Sequence, residues 1–520
     1  MSSRTARQLA AAATRAAAVS AGKSVRYLSR ALGRGGGTTL PGRVANWLDP
    51  ELLTTLAQNL TCGCALVTGT NGKTTTTRIM AEAARAAGLQ VITNPEGSNL
   101  LSGIATALLV NGNAQGKLDV PPSTIGVFEV DEGLLGPAIE ALCPRLVVIT
   151  NLFRDQLDRY FEVDFVAGLW QRGLRRLPSG AAVVLNADDP AVCYLGDDLL
   201  ATVIYFGLDD RHWGKAGLEH AADSRRCPRC DQDLLYELSF YAHLGHYACK
   251  ECGWRRPDPR FAACNVTLDG AAGSKSQLRT PAGERLLELP LAGLYNAYNA
   301  LAAAAGASCL GIGLDLFQAA ARKTTGAFGR LEAVRIGDKQ AILLLVKNPS
   351  GFTEALRLVM SASPRARLVF GLNDNEPDGR DVSWIWDVDF EQCRERTSYL
   401  AASGTRANDL ALRLKYAGLL GSGGQLIAHA DGKPDGAQQM PMLIEEDMAR
   451  AFFTAIDQAP AGQTVYVLSS YTAMWALRRD LVRRGHLAPF WRQASAAPRA
   501  REVPGAGAGR QADEKRSAVR

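Results

Sequence analysis

From Cys64 onward the chain repeats one pattern: a short apolar run, a turn rich in Gly, Asn or Asp, then a longer stretch with helical spacing. Ala65-Leu66-Val67 reads as a buried strand and residues 74–87 as a helix. Val91-Ile92 and residues 124–130, 146–150 and 182–185 read as further strands, separated by helical stretches. Such alternation predicts an α/β architecture, with a mostly parallel sheet and helices on both faces. Residues 296–310 are an Ala-rich helix by pattern. A second alternating region starts near Leu331 and runs to about Trp491, with strands at 341–346, 368–372, 426–428 and 465–468. Between the two regions, residues 223–257 break the rhythm and read as an insertion.

A chain of 520 residues is too long for one hydrophobic core. The expected organisation is a basic leader over 1–45, a central domain over 46–330 carrying the insertion, and a C-terminal α/β domain over 331–493. Residues 494–520 hold almost no large apolar side chains and are expected to be a disordered tail.

Composition excludes some classes. With 47% hydrophobic and 21% charged residues the chain is ordinary for a globular protein, and no apolar run approaches the length a bilayer needs. The net charge is +6, and the last 27 residues hold six basic against three acidic side chains. What remains is too weak a bias to argue for nucleic acid. The leader is different. Its charges are Arg4, Arg7, Arg15, Lys23, Arg26, Arg30, Arg34 and Arg43, and the first acid is Asp49. An acid-free, Arg- and Ala-rich start looks like an organelle transit peptide; equally it fits an amphipathic helix that docks on the protein or on an anionic membrane face. The Gly-rich stretch 33–42 behind it reads as a loop. Eleven cysteines, four clustered and the rest scattered singly, agree with a reducing compartment.

Thr68-Gly69-Thr70-Asn71-Gly72-Lys73-Thr74-Thr75 lies between a strand and a helix. Phosphate binding needs inward backbone N–H groups, a lysine for the β/γ oxygens and a hydroxyl for Mg²⁺. Gly69 and Gly72 permit the turn, Lys73 supplies the charge and Thr74 the hydroxyl, although only two residues separate the glycines instead of the usual four. Residues 124–132 form a strand ending in Glu129, Asp131 and Glu132, where parallel sheets place functional groups. Glu129 is the expected metal carboxylate; for Asp131 and Glu132 a solvated strand end is the competing reading.

Cys227-Pro228-Arg229-Cys230 and Cys249-Lys250-Glu251-Cys252 are separated by eighteen residues. Two such knuckles supply four thiolates for a tetrahedral, closed and therefore structural Zn²⁺ site. His243 and His246 between them are outer-sphere groups or polar surface. The other cysteines read as packing residues.

The phosphate loop resembles that of the Mur ligases and folylpolyglutamate synthases, and later segments match in order. Thr150-Asn151-Leu152 with Asp155-Gln156-Leu157-Asp158-Arg159-Tyr160 is similar to the family's Thr-Asn…Asp-His-Leu-Asp segment, and Leu185-Asn186-Ala187-Asp188-Asp189-Pro190 to its adenine-side turn. Residues 293–300 resemble Gly-x-His-Asn-x-x-Asn, and Gly329-Arg330-Leu331-Glu332 resembles the hinge into the C-terminal domain. The resemblance implies a P-loop-type central domain, formation of an acyl phosphate from a carboxylate and ATP with Mg²⁺, and displacement of phosphate by an amine. It adds Thr70, Asn71, Thr75, Asn296 and Arg330 to the ATP-binding set. Gln156 stands where many members have a metal-binding His, and Gln171 lies near the position of their carbamylated Lys. Leu345-Val346-Lys347-Asn348-Pro349-Ser350-Gly351 replaces the Asp-x-Ala-His-x-Pro signature, so the acceptor half departs from the amino-acid-adding enzymes.

Residues 372–387, 403–409, 412–418 and 471–474, with the inserted cysteine ribbon and the Gly-rich leader, are similar to one branch, the MurT family, over roughly residues 24–490. That branch implies amidation of the D-glutamate α-carboxylate in the peptidoglycan stem peptide of lipid II. Ammonia would come from a GatD-type glutamine amidotransferase in a heterodimer, in the bacterial cytoplasm at the inner membrane face. The resemblance further implies that an aspartate of this subunit completes the partner's Cys-His pair, with Asp381 the first choice and Asp378 and Asp387 as alternatives. Competing readings are a stand-alone Mur- or folylpolyglutamate-type ligase adding an amino acid, and, remotely, a zinc-ribbon nucleic-acid-binding protein.

Overall fold

In the computed structural model the described residues are 3–488, except 32–37, 96, 114, 116, 155–162, 219–221, 270–272, 325–329, 420–425 and 428–441. The segment 155–160, Gly329, most of the Gly-rich leader loop, Ala428 and the tail therefore lie outside the described residues, as do the side chains of Arg4, Arg7, Arg30 and Arg330.

The first sheet is built from β1 (Cys64–Thr68), β2 (Gln90–Ile92), β3 (Thr124–Glu129), β4 (Leu146–Ile149), β5 (Ala182–Asn186) and β6 (Thr202–Leu208). A separate hairpin of β7 (Leu234–Tyr241) and β8 (Leu244–Cys249) interrupts it before β9 (Phe261–Leu268), β10 (Ser274–Thr280) and β11 (Gly283–Leu289). Its nine strands lie in the order β11-β10-β9-β6-β5-β4-β1-β3-β2. All neighbours from β9 to β2 pair in parallel, while β10 and β11 add an antiparallel edge.

Strand periodicity explains why both faces are covered. In β1, Ala65 and Val67 pack with Ile79, Met80 and the helix Leu294–Cys309, whereas Cys64 and Leu66 pack with Leu52, Leu56, Ile104 and Leu108 on the other face. The helix Leu294–Cys309 is rich in alanine, with small residues at every position from Ala302 on, and almost wholly buried. Ala and Gly let it approach the helix Lys73–Ala86 so closely that a Cβ on Gly306 would touch Met80.

The second sheet contains β12 (Arg330–Ile336), β13 (Lys339–Leu345), β14 (Ala366–Gly371), β15 (Thr397–Ser403), β16 (Leu426–Ile427), β17 (Met442–Glu445) and β18 (Thr464–Ser469). The order is β12-β13-β18-β14-β15-β17-β16, with only β12 antiparallel to its neighbour. Leu368 and Phe370 of β14 pack with Phe352 and Leu356, and Val369 between them packs with Phe452, Met474 and Leu477. The α/β class expected from the sequence is the one observed.

The start of the chain is integrated into the first domain. Helix Ser3–Ala31 buries Ala18 and Val19 in the same core as Ala45, Leu52 and Ile104, and Arg15 lies 3.4 Å from Asp49. Of the readings of the leader, docking on the protein is what the helix does. Among the described residues no helix is long and apolar enough to cross a membrane.

Helix Leu40–Leu48 sits against helix Leu101–Val110 because Gly42 has no side chain. Its N–H donates to Thr106 Oγ1 at 2.9 Å, and a Cβ there would strike Ser102 O and Thr106 Oγ1. Gly42→Val should therefore destabilise the domain by about 1–3 kcal/mol. Thermal unfolding checks this, and an unchanged Tm would contradict the packing.

Candidate functional site

The phosphate loop joins β1 to helix Lys73–Ala86 at the C-terminal edge of the sheet, next to β3 and β4. Gly69 (φ 130°) and Gly72 (φ 90°) adopt backbone conformations that favour glycine. Both are also sterically required: a Cβ on Gly69 would strike Thr150 Oγ1, and one on Gly72 would strike Asn299 Oδ1. The fourteen-residue helix presents its positive end to the loop, with Lys73, Thr74 and Thr75 in its first turn.

Residues 150–153 are laced to this loop. Thr70 N–H donates to Asn151 O (2.9 Å) and Asn71 N–H to Asn151 Oδ1 (2.8 Å). Thr150 Oγ1 and Asn151 Nδ2 both donate to Asn71 O, at 2.7 and 3.0 Å. Phe153 N–H donates to Thr70 Oγ1 (2.9 Å), which donates back to Phe153 O (3.1 Å). On the other side, Asn296 is buried; it donates to Ala292 O at 2.7 Å and accepts from Asn299 Nδ2 at 3.0 Å. It thus reaches the loop through Asn299.

Lys73 is buried. Its Nζ donates to Gly69 O (2.6 Å), Thr70 O (3.2 Å) and Glu132 Oε1 (2.6 Å). Burial would lower the pKa of the ammonium, but Glu132, Glu129 and Asp131 outweigh it and hold the pKa above the ordinary lysine value. All three acids are buried, which corrects the solvated-strand-end reading for Asp131 and Glu132. Glu129 is fixed at the end of β3, where its N–H donates to Asn94 Oδ1 and its carbonyl accepts from Asn94 Nδ2, both at 2.9 Å. Glu132, the direct partner of Lys73, was not singled out by its sequence context. Its backbone carbonyl accepts from the indole N–H of the fully buried Trp170 at 2.8 Å, so Gln171 lies one residue from that support. A lysine, a threonine hydroxyl and three carboxylates on an open helix N-terminus can hold a polyphosphate and its divalent cation.

The C-terminal domain meets the loop directly. Asn348 caps the helix Pro349–Ala362 by accepting from Gly351 N–H (2.8 Å), and its Nδ2 donates to Asn71 Oδ1 (3.1 Å). The segment that departs from the Mur signature thus touches the phosphate loop; the Asn-Pro pair, a helix-start signal, was the available clue. A second bridge runs through Arg154, which bonds Asp223 and lies 3.3 Å from Asp387.

The three candidate aspartates occupy different environments. Asp378 is buried and accepts from Thr472 N–H (2.8 Å) and from its hydroxyl. Burial pushes its carboxyl above the usual range. Asp387 faces Arg154 in the cleft between domains. Asp381 is exposed and accepts from Ser383 N–H (2.8 Å), a bond that holds its carboxyl below the usual range.

Cys227, Cys230, Cys249 and Cys252 converge at the open end of the β7–β8 hairpin, all sulfurs within 4.8 Å of one another. The two knuckles repeat each other. Asp231 N–H donates to Cys227 O and Gly253 N–H to Cys249 O, at 2.8 and 3.1 Å, and Asp231 and Gly253 both have positive φ. The Cys227–Cys252 and Cys230–Cys249 sulfurs are 3.6 and 3.5 Å apart. A tetrahedron with bonds of ~2.3 Å has edges of about 3.8 Å, so the residues fit a metal. His243 lies at the opposite, closed end of the hairpin and is fully buried; it is neither polar surface nor beside the cysteines. His246 is on β8, with Nε2 3.0 Å from Leu208 O. Asp188 and Asp189 of the predicted adenine-side turn are also fully buried. Asp188 accepts from Leu208 N–H, Tyr298 OH and Arg256 at 2.7, 2.6 and 2.5 Å.

Comparison with known proteins places this arrangement in a family. Residues 67–234 match the Mur ligase middle domain, and residues 345–474 match the MurT ligase C-terminal family. The chain is 36% identical over 467 residues to the lipid II isoglutaminyl synthase (glutamine-hydrolyzing) subunit MurT of Streptococcus pneumoniae, covering 89% of this chain and 96% of that protein. To the subunit of the same name from Staphylococcus aureus (strain COL) it is 31% identical over 469 residues, covering 90% and 97%. Among solved structures, a pseudomurein peptide ligase type C from Methanothermus fervidus shares the fold with a TM-score of 0.57 at 23% identity, covering 81% of this chain and 78% of that one.

Lys73→Ala should lower ATP-dependent turnover by about a hundredfold or more, because the transferred phosphoryl charge loses its buried counter-ion. Retention of more than about a tenth of the activity would remove Lys73 from that role.

Proposed function

This chain belongs to the MurT family of Mur ligases, and from that premise we propose that it is the ATP-dependent subunit of a lipid II isoglutaminyl synthase. The observation that carries the proposal is the phosphate loop with its buried lysine and acids, joined through Asn348 to a MurT-type C-terminal domain. The substrate is the D-glutamate α-carboxylate of the stem peptide. Its oxygen attacks the γ-phosphorus of ATP, the bond to the bridging oxygen breaks and ADP leaves. Ammonia then attacks the acyl phosphate carbon, inorganic phosphate departs, and the nitrogen loses a proton to give the amide. Lys73 and the loop N–H groups neutralise charge on the moving phosphoryl group. Glu129 and the Thr74 hydroxyl would hold the Mg²⁺, which would supply further charge neutralisation. Arg330 serves the nucleotide from the start of β12.

Ammonia comes from a GatD-type glutaminase subunit in a heterodimer. Asp381 supplies the acid of that partner's triad, because its carboxylate is exposed and ionised while Asp378 is occupied by Thr472 and Asp387 by Arg154. Nearby, the exposed rings of Trp386 and Tyr416 lie 5.7 Å apart in a tilted contact, and Leu412 is exposed as well, the kind of aromatic surface interfaces use. The enzyme works in the bacterial cytoplasm at the membrane face. Trp47 and Tyr27, 81% and 75% exposed, with exposed Leu28, Leu40 and Arg43, give the first two helices a basic and aromatic surface suited to anionic lipid.

The four cysteines bind one structural Zn²⁺. Elemental analysis should find one zinc per chain, and Cys227→Ser should lower thermal stability strongly, since metal binding and local folding are coupled. A zinc-free protein, or an unchanged Tm in that variant, would refute the assignment.

Asp381→Asn in the two-subunit enzyme should cut glutamine-dependent amidation by orders of magnitude, because Asn cannot stabilise the partner's imidazolium. Amidation driven by an added ammonium salt should persist. Equal loss with both nitrogen sources would place Asp381 in the synthetase site or in the fold, and normal glutamine use would pass the role to Asp378.

A further inference from the structure

The cysteine hairpin has two ends, and the closed end does not project into solvent. Phe240, Tyr241, Ala242 and Leu244 are buried in the same core as Met80, Val148 and Phe153. His243, at the tip, is fully buried, and so is Asp189. The His243 ring lies 4.6 Å from the Phe153 ring, with Tyr241 stacked on the same phenyl group at 5.8 Å. His243 Nε2 is 3.4 Å from Asp189 Oδ2, and Nδ1 accepts from Asp223 N–H at 3.4 Å.

What the imidazole touches leads straight to the phosphate loop. Phe153 exchanges both of its backbone hydrogen bonds with the Thr70 hydroxyl. Asp189 accepts from Leu152 N–H at 2.7 Å and caps the next helix through Val192 N–H at 3.2 Å. Residues 152 and 153 are therefore held on one side by Thr70 and on the other by His243 and the carboxylate it faces. With Nδ1 accepting, the neutral ring carries its proton on Nε2, the nitrogen nearer Asp189, where the 3.4 Å separation is one of proximity and no well-formed hydrogen bond is made. Burying an imidazole here without partners would cost free energy, so packing alone does not account for its presence.

We infer that His243 is a positioning residue for the nucleotide: through Phe153 and Asp189 it fixes the segment that shapes the phosphate loop, making the cysteine hairpin a buttress of the ATP site. The inference rests on the reading of that loop as the ATP site. The hairpin is inserted between parallel neighbours β6 and β9, and its tip reaches the segment that braces the loop through these side chains.

The test uses the full chain with its glutaminase partner, measuring KM for ATP, kcat with ammonium as nitrogen source, and direct binding of a non-hydrolysable ATP analogue. His243→Leu should raise KM and the analogue Kd about tenfold or more, a change of 1.4 kcal/mol or more, with kcat within about threefold. His243→Gln, which keeps an N–H near the Nε2 position, should recover most of the affinity. Phe153→Leu, removing the ring beneath the imidazole, should repeat the His243→Leu effect and serves if that variant does not fold. Unchanged KM and Kd in folded His243→Leu or Phe153→Leu overturns the inference. A loss confined to kcat or Tm, or a Gln variant as impaired as Leu, overturns it too. Failure of the ATP reading itself would look different: Lys73→Ala and the wild type would then bind the analogue alike.

Discussion

The backbone lacing between residues 68–73 and 150–153 is the constraint on which the rest depends. A phosphate loop must keep several N–H groups unsatisfied by its own chain so that they can bind anion, and such a loop has little intrinsic stability. Here Thr70 and Asn71 are pinned by Asn151 and Thr150, while Gly69 and Gly72 fit against side chains that leave no room for a Cβ. Strand order makes this possible, since β1 and β4 are parallel neighbours and both loops leave the same sheet edge. Exchange of Gly69 for alanine would force the two segments apart, and exchange of Gly72 would push the loop off Asn299, before any ligand arrived.

Two long-range connections meet at that lacing. The C-terminal domain reaches it through Asn348, at the start of a helix, so movement of that domain relative to the first must break or re-form a contact with Asn71. Arg154, one residue beyond the laced segment, ties it to Asp223 beside the hairpin tip and to Asp387 across the cleft. Half-exposed charge pairs such as Arg154–Asp387 contribute little to stability. Their value lies in direction, because they fix which faces of the two domains oppose each other without making separation costly.

The sequence disclosed those parts whose chemistry is local. Short apolar runs marked the parallel strands because these are covered on both faces, and the phosphate loop, the acid-ended strand and the cysteine knuckles each declare themselves within ten residues. It was silent where partners are distant. The edge strands β10 and β11 escaped notice because Ser274–Thr280 and Gly283–Leu289 alternate with charged and small polar residues, having one solvated face. Glu132 looked like a strand-end acid, and only folding brings it to Lys73. His243 resembled a surface histidine between two cysteine pairs; its burial follows from the hairpin's tip being driven into the core, which no local pattern records.

The loop after β14 places three neighbouring acids in three different environments. Asp378 is spent on the start of the helix Tyr471–Arg483, and that anchoring fixes where the chain emerges. Three residues later Asp381 turns outward, ionised by a backbone N–H and free of any cation among the described residues. Asp387 then returns to the cleft beside Arg154. The three acids of this partly helical loop are thus held by different partners, a backbone N–H, a helix start and a guanidinium across the cleft, and of them Asp381 is exposed with no such cation or helix to serve among the described residues.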